Sequence, residues 1–313
     1  MPNEKNSDFA EKWHTQVAGI WHGCPSVFDS RGQYLGYIQA DRKIFKDDNE
    51  NYLIEVETET HIPGPMGIRL HHPCHRLEVS HKEQKRVYNG PDFYGAGYPY
   101  GDLILGNDYC VPWTSDNRVT VQLLPEGESQ AYSTLLYQGG TLHAVVCGVY
   151  LQSLDFETNQ ETRQKISHHR LSEIGAGRNA TKLLKERPRN LQGNCQIFDS
   201  KQNLNGSSMM QVTMSESKES VPTLRYTLEG DLNLSGTSSV QWYENNFSYH
   251  GPDFWGNGIS YGRMVLNHLY QKGEILRMRS RELYLPETKE LAIVLELFEG
   301  DNLKNVVHGL LKS

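Results

Sequence analysis

The chain has 313 residues, 37% hydrophobic and 10% aromatic, with 38 acidic against 31 basic side chains and a formal net charge of −7. That length holds one large domain or two of about 150 residues. The mild acidic excess and the lack of any Lys/Arg cluster exclude nucleic acid and anionic lipid as main partners, because counterion release needs concentrated positive charge.

Met1 to Asp8 is polar and partly acidic, unlike a signal or transit peptide, and no window approaches ~18 consecutive apolar residues, so a cytoplasmic protein without membrane insertion is expected. Ser7 to Gln16 reads as a short opening helix capped by Ser7, followed by Gly19-Ile20-Trp21. Leu53 to Glu59 alternates, with Ile54, Val56 and Thr58 on one face and Glu55, Glu57 and Glu59 on the other, which describes a half-buried strand. Ile68-Arg69-Leu70 reads as a strand running on into His71 and His72. Val119 to Leu123 alternates as well, Asp155 to Lys165 is a polar linker, and Glu173 to Lys185 reads as a helix that Gly175 and Gly177 weaken. Leu291 to Leu295 is continuously apolar. Turn sequences at close spacing predict an antiparallel meander rather than βαβ units. The five cysteines are odd in number with no C-x-x-C, so they read as reduced thiols.

The chain is one unit written twice. Asn89 to Gly101 aligns with His250 to Gly262 at an offset of 161, with eight of thirteen positions identical, including Gly90-Pro91-Asp92-Phe93 and Gly251-Pro252-Asp253-Phe254. The same offset pairs Arg118 with Arg279, Leu124-Pro125-Glu126 with Leu285-Pro286-Glu287, and Gly148 with Gly309. Towards the amino end the offset becomes 170, where Val27-Phe28-Asp29-Ser30 answers Ile197-Phe198-Asp199-Ser200. The first copy is thus nine residues longer between these landmarks, in a region that holds His61, His71, His72 and His75.

About 150 residues of short strands close best as a barrel, which removes exposed edges, and a small barrel with an open mouth holds one small ligand. Gly19-Ile20-Trp21 resembles the Gly-x-Trp start of lipocalin-type barrels. That resemblance implies that Trp21 plugs the closed end and that a basic residue of a late strand, Arg118, packs over it, repeated as Arg279; Leu191 stands in the place of Trp21 in the second copy. With the duplicated Gly-Pro-Asp-Phe segment, the whole chain resembles the lipocalin-like (calycin) tandem-barrel proteins of cyanobacteria and chloroplasts. The expected fold class is therefore all-β, two tandem lipocalin-like antiparallel β-barrels at 1–155 and 165–313.

Residues kept in both copies serve the shared fold first, so the Gly-Pro-Asp-Phe segments read as turns; Gly95-x-Gly97 lacks the spacing and βαβ context of a dinucleotide fingerprint. The unshared histidines are the place for chemistry. On a strand, period two places His72 with the apolar face, towards the lumen, where a neutral imidazole is suited to general acid–base work. The competing reading is a buried histidine satisfied by a backbone carbonyl. Arg69 and His75 stand beside His72 as further candidate catalytic residues. A metal site from His71, His72 and His75 is disfavoured, since adjacent strand histidines point apart and Pro73 intervenes, so no metal is expected. Aromatic side chains crowd towards the landmarks. Tyr88, Phe93, Tyr94, Tyr98 and Tyr100 in the first copy, with Trp242, Tyr249 and Trp255 in the second, are candidates to line a pocket for a planar ligand or to form core.

The family resemblance implies two functional precedents. One is a cofactor-independent cyclase of scytonemin-like indole alkaloid biosynthesis, a secondary-metabolic enzyme that closes a ring onto an indole with decarboxylation of a β-keto acid. The other is a non-catalytic binding protein, a small-molecule carrier or an assembly factor for a photosynthetic or ATP synthase complex. A bulky aromatic substrate, no cofactor and a possible homodimer complete the expectation. No nucleophile elbow, H-E-x-x-H or P-loop is present.

Overall fold

The computed structural model describes residues 16–46, 52–82, 84–179, 187–217 and 220–313. The chain divides into two compact units, Met1–Arg178 and Asn179–Ser313. The expected opening helix lies outside the described residues apart from Gln16.

In the first unit the strands are β1 (Gly19–Gly23), β2 (Ser26–Asp29), β3 (Tyr34–Lys46), β4 (Tyr52–His61), β5 (Cys74–Lys82), β6 (Lys85–Asn89), β7 (Phe93–Tyr100), β8 (Leu103–Cys110), β9 (Ser115–Leu123), β10 (Ser129–Gln138) and β11 (Thr141–Ser153). They form an antiparallel meander in which β1 and β2 each pair with both β3 and β11. β1 and β2 are thus two halves of one closing strand, interrupted at Cys24-Pro25, where proline cannot donate to a ladder. The second unit comprises β12 (Asn190–Asp199), β13 (Leu204–Ser217), β14 (Ser220–Gly230), β15 (Leu234–Tyr243), β16 (Asn246–His250), β17 (Phe254–Tyr261), β18 (Met264–Gln271), β19 (Leu276–Leu285), β20 (Glu290–Glu299) and β21 (Asn302–Leu311), and β12 pairs with β21 to close it. The fold is all-β, two lipocalin-like barrels in tandem.

Strand register confirms the duplication residue by residue. Trp21 stands opposite Arg42 as Leu191 stands opposite Val212, and Tyr88 opposite Gly95 as Tyr249 opposite Gly256. The shared glycines allow the same close approaches in both units. A Cβ on Gly90 would lie 2.4 Å from the Arg76 carbonyl, and one on Gly251 2.2 Å from that of Thr237; on Gly95 it would lie 2.5 Å from the Asn107 carbonyl, and on Gly256 2.0 Å from that of His268.

The nine extra residues of the first copy sit in one place. Between β4 and β5 the chain forms helix α1 (Gly64–Leu70), whereas β14 and β15 are joined by a short turn. The strand expected over Ile68 to His72 is therefore corrected to a helix followed by a loop. Pro65 occupies the first turn, where its missing N–H costs nothing, and Met66, Gly67 and Leu70 form the inward face at helical spacing. Leu70 is fully buried among Val27, Ile38, Ile62, Leu136 and Val146, while Ile68 is 81% exposed.

The polar stretch from Asp155 leads directly into helix α2 (Gln160–Arg178), which Asn159 caps through Glu161 N–H at 2.9 Å and which packs on β1, β2, β3 and β11. Gly177 permits this seat, because a Cβ there would lie 2.0 Å from Ser26 Oγ. Glu173 accepts from Val149 N–H at 2.7 Å, and Arg170 pairs with Asp41. Among the described residues no helix is long and apolar enough to cross a membrane.

Trp21 is completely buried and donates through Nε1 to the Val17 carbonyl at 2.8 Å. Arg118 does not pack over it. It lies on the exposed face, 4.8 Å from the Tyr137 ring centroid, and Arg279 pairs with Glu296; the basic neighbour of Trp21 is Arg42, directly across from it on β3. Trp21→Ala is expected to cost about 3–5 kcal/mol. Hydrogen exchange should then show lost protection in β1, β3 and β11 with β12 to β21 unchanged.

Candidate functional site

The interior of the first barrel is a cavity of about 170 Å³. Inward alternation supplies Ile38, Ala40, Arg42 and Ile44 from β3, Ile54, Val56 and Thr58 from β4, His75 and Leu77 from β5, and Arg86 and Tyr88 from β6. Phe93, Asp108, Asn117, Gln130, Tyr132 and Tyr150 complete the wall, with Trp113 from the β8–β9 turn. Arg42 donates to Gln130 Oε1 at 2.6 Å and lies 4.6 Å from the Tyr150 ring centroid, while Arg86 lies 5.5 Å from that of Tyr88. Burial lowers the pKa of Arg86, and Arg42 pushes it the same way, so two cations share this lumen.

Asp108 is the one carboxylate among the described lining residues. Burial pushes its pKa up to about 7, against a hydrogen bond from Asn117 Nδ2 at 2.8 Å that favours the ionised form. The sequence reading missed Arg42, Arg86 and Asp108, although the repeat marks all three: their counterparts are Val212, Phe247 and Leu269.

The expected site residues are dispersed. Tyr88, Phe93 and His75 line the lumen. His72 is half-buried in the loop after α1 and Arg69 reaches Thr114 Oγ1 at 3.3 Å, so neither stands on a lumen-facing strand. His72 Nε2 lies 3.2 Å from Asp92 Oδ2, and its ring centroid is 4.4 Å from that of His75. Burial, reinforced by His72, pushes the His75 pKa down to about 4. Tyr100 is buried but lies outside the lumen lining, and Tyr98 lies under Lys85. Tyr94 is 54% exposed against Tyr109, and Trp255 is 52% exposed against Tyr270 at the corresponding place in the second barrel. These rings decorate the outer walls.

In the second barrel the positions of Arg42, Arg86 and Asp108 are apolar. Val212, Phe247, Leu269, Met278, Leu291 and Ile293 belong to one apolar core. A cavity of about 390 Å³ in this barrel is lined by Trp242, Tyr249, Phe247, Arg187 and Glu282 among others. Its polar groups satisfy one another: Arg187 Nη1 lies 2.7 Å from Glu282 Oε2, the Tyr226 hydroxyl donates to Glu282 Oε1 at 2.5 Å, and Asn267 Nδ2 donates to the same oxygen at 2.9 Å.

One further cluster has the atom order of a serine-hydrolase triad. His22 Nε2 lies 2.8 Å from Ser153 Oγ, and His22 Nδ1 lies 2.5 Å from Asp41 Oδ1. His22 and Ser153 are buried, with the Phe156 ring 4.3 Å from the imidazole, and Arg170 of α2 occupies Asp41. The arrangement fastens α2 to the barrel and lines neither cavity.

No family model and no curated protein matches the chain. Among solved structures, it is similar to a protein of unknown function of the DUF3598 family from Nostoc punctiforme, with a TM-score of 0.62 at 8% identity over 96% of this chain and 97% of that one. A putative outer membrane protein from Bacteroides fragilis aligns over 96% and 99% of the two chains at 8% identity with a TM-score of 0.23. The first likeness supports the lipocalin-like tandem-barrel fold, with a cyanobacterial neighbour.

The Asp108 shift has a measurable sign. Because its folded pKa, about 7, lies above the ordinary aspartate value of 3.8, the folded state binds the proton more tightly, and stability falls as pH rises between these values. Asp108→Asn should therefore leave Tm unchanged near pH 3.5 and raise it by several degrees at pH 8. Thermal unfolding followed by circular dichroism at the two pH values checks this.

Proposed function

We propose that the first barrel binds a small aromatic carboxylic acid in its lumen and acts on it by acid–base chemistry. The observation that carries this is the contrast between the repeats: one lumen keeps Arg42, Arg86 and Asp108, where the other packs Val212, Phe247 and Leu269. Buried charge destabilises a core unless it is matched, and an anionic ligand matches two guanidinium groups. Tyr88, Phe93, Tyr132 and Tyr150 supply aromatic walls for a planar ring.

The reaction class that fits is cyclisation with decarboxylation of an indole-bearing β-keto acid. Arg42 and Arg86 hold the substrate's carboxylate and, once CO2 departs, face the enolate oxygen left behind. Asp108, with a pKa near neutrality, is suited to take the proton that the indole carbon releases as it bonds to the ketone carbon and to pass it to the former ketone oxygen, which leaves as water as CO2 departs and gives the enol of the product ketone. At about 170 Å³ the lumen is smaller than the ~300–1,000 Å³ of pockets for drug-sized ligands, so one ring system enters and a second ring rests in the mouth.

A second reading, a binding protein without turnover, draws on the outward aromatic pairs Tyr94–Tyr109 and Trp255–Tyr270, which recur at the same place in both barrels and offer apolar surface to a partner. Incubation with the β-keto acid decides between them. The enzyme reading expects a tricyclic ketone and CO2, a rate that rises through about pH 7, a loss of about 100-fold or more in kcat for Asp108→Asn, and a raised KM for Arg42→Gln. Tight binding without product would leave the carrier reading standing, and no binding at all would remove the lumen as the site.

A further inference from the structure

The mouth of the first barrel holds a polar cluster that the lumen chemistry does not use. His72 lies in the loop after α1, His75 is the first inward residue of β5, and Asp92 sits in the turn between β6 and β7. Their ligand-type atoms all lie within 4.8 Å of one another. His75 is only 4% exposed, yet neither of its ring nitrogens has a hydrogen-bond partner among the described residues. Leaving a buried polar group unmet costs roughly 1–3 kcal/mol, so such a ring calls for a ligand of its own.

The second barrel shows what the same position looks like without this cluster. The counterparts of His72 and His75 are Asn233 and Gly236, and Phe254 fills the space that a side chain at Gly236 would need, its ring 2.0 Å from where a Cβ would stand. Asp253, the counterpart of Asp92, accepts from Thr237 N–H at 2.9 Å. The carboxylate thus belongs to the common turn, whereas the imidazoles belong to the first copy, and His72 arrives with the extra connection that carries α1.

We infer that His72, His75 and Asp92 form a binding site for a divalent transition-metal ion of the zinc class at the mouth of the first barrel. Two imidazole nitrogens and one carboxylate oxygen are the donor set that borderline cations take, with further coordination positions left for water or a ligand. Tetrahedral bonds of about 2.1 Å require the donors to approach to roughly 3.4 Å. His72 and Asp92 are already at 3.2 Å, and the remaining separations to His75, none above 4.8 Å, would close by small movements of His72 and Asp92, both of which stand on connections between elements. Cys74 is exposed and points away from the inward side of β5, so its thiol is not among the donors.

The experiment titrates tag-free, chelator-stripped full-length protein with Co²⁺, followed by visible ligand-field absorption, and then displaces it with Zn²⁺. The expected result is saturation at one equivalent, displacement by Zn²⁺, and an affinity about tenfold or more weaker in His72→Ala and His75→Ala, with Cys74→Ser like the wild type. His75→Ala removes a core side chain, so half-buried His72 carries the test if that variant fails to fold. No saturable binding, or equal affinity in His72→Ala and wild type, overturns the site.

Discussion

Closure of the hydrogen-bond ladder is the constraint on which the rest of each unit depends. A strand edge left open exposes unmet N–H and C=O groups, and both units remove it by returning the last strand to the first. In the first unit the returning strand meets a segment broken at Cys24-Pro25, yet both halves find the same two neighbours, so the break costs no edge. Once the ladder is closed, every second side chain must point into a finite interior. Parity along a strand then decides whether a charge is solvated or enclosed, as Arg42 and its neighbour Lys43 illustrate.

The two copies meet that requirement in opposite ways. One gathers branched and aromatic side chains into a single apolar core and pairs its buried Arg187 with Glu282. The other lines its interior with tyrosines, amides, two guanidinium groups and a carboxylate held near its neutral form. Because the ladders pair Arg42 with Trp21 as Val212 with Leu191, the contrast between the two interiors at matched positions is one of side chains, which separates what the fold needs from what one copy has kept for itself.

Much of the architecture was legible in the sequence because it rests on local patterns. The alternation over Leu53 to Glu59 placed Ile54, Val56 and Thr58 on the lumen wall, and the duplicated Gly-Pro-Asp-Phe segment marked turns where glycine permits backbone contact. α1 was misread because Ile68 and Leu70 mimic period two over three residues; Pro65 and the Met66, Gly67, Leu70 spacing carried the helical signal. The candidate site was legible only in part. His75, Tyr88 and Phe93 reach the cavity, but isolated arginines within strands resemble solvated residues, so Arg42 and Arg86 were passed over. Their signal was relational: each shares parity with apolar neighbours and faces an apolar counterpart across the repeat.

The unequal interiors also bear on how the chain comes apart. A barrel whose buried Arg187 is paired with Glu282 and one that encloses two guanidinium groups do not share a single free energy of unfolding, since the latter carries the desolvation cost of its own lining. Denaturant will therefore open the first barrel while the second still holds. For this molecule a single melting temperature is an average over two events, and a ligand that neutralises the lumen would move the first event alone.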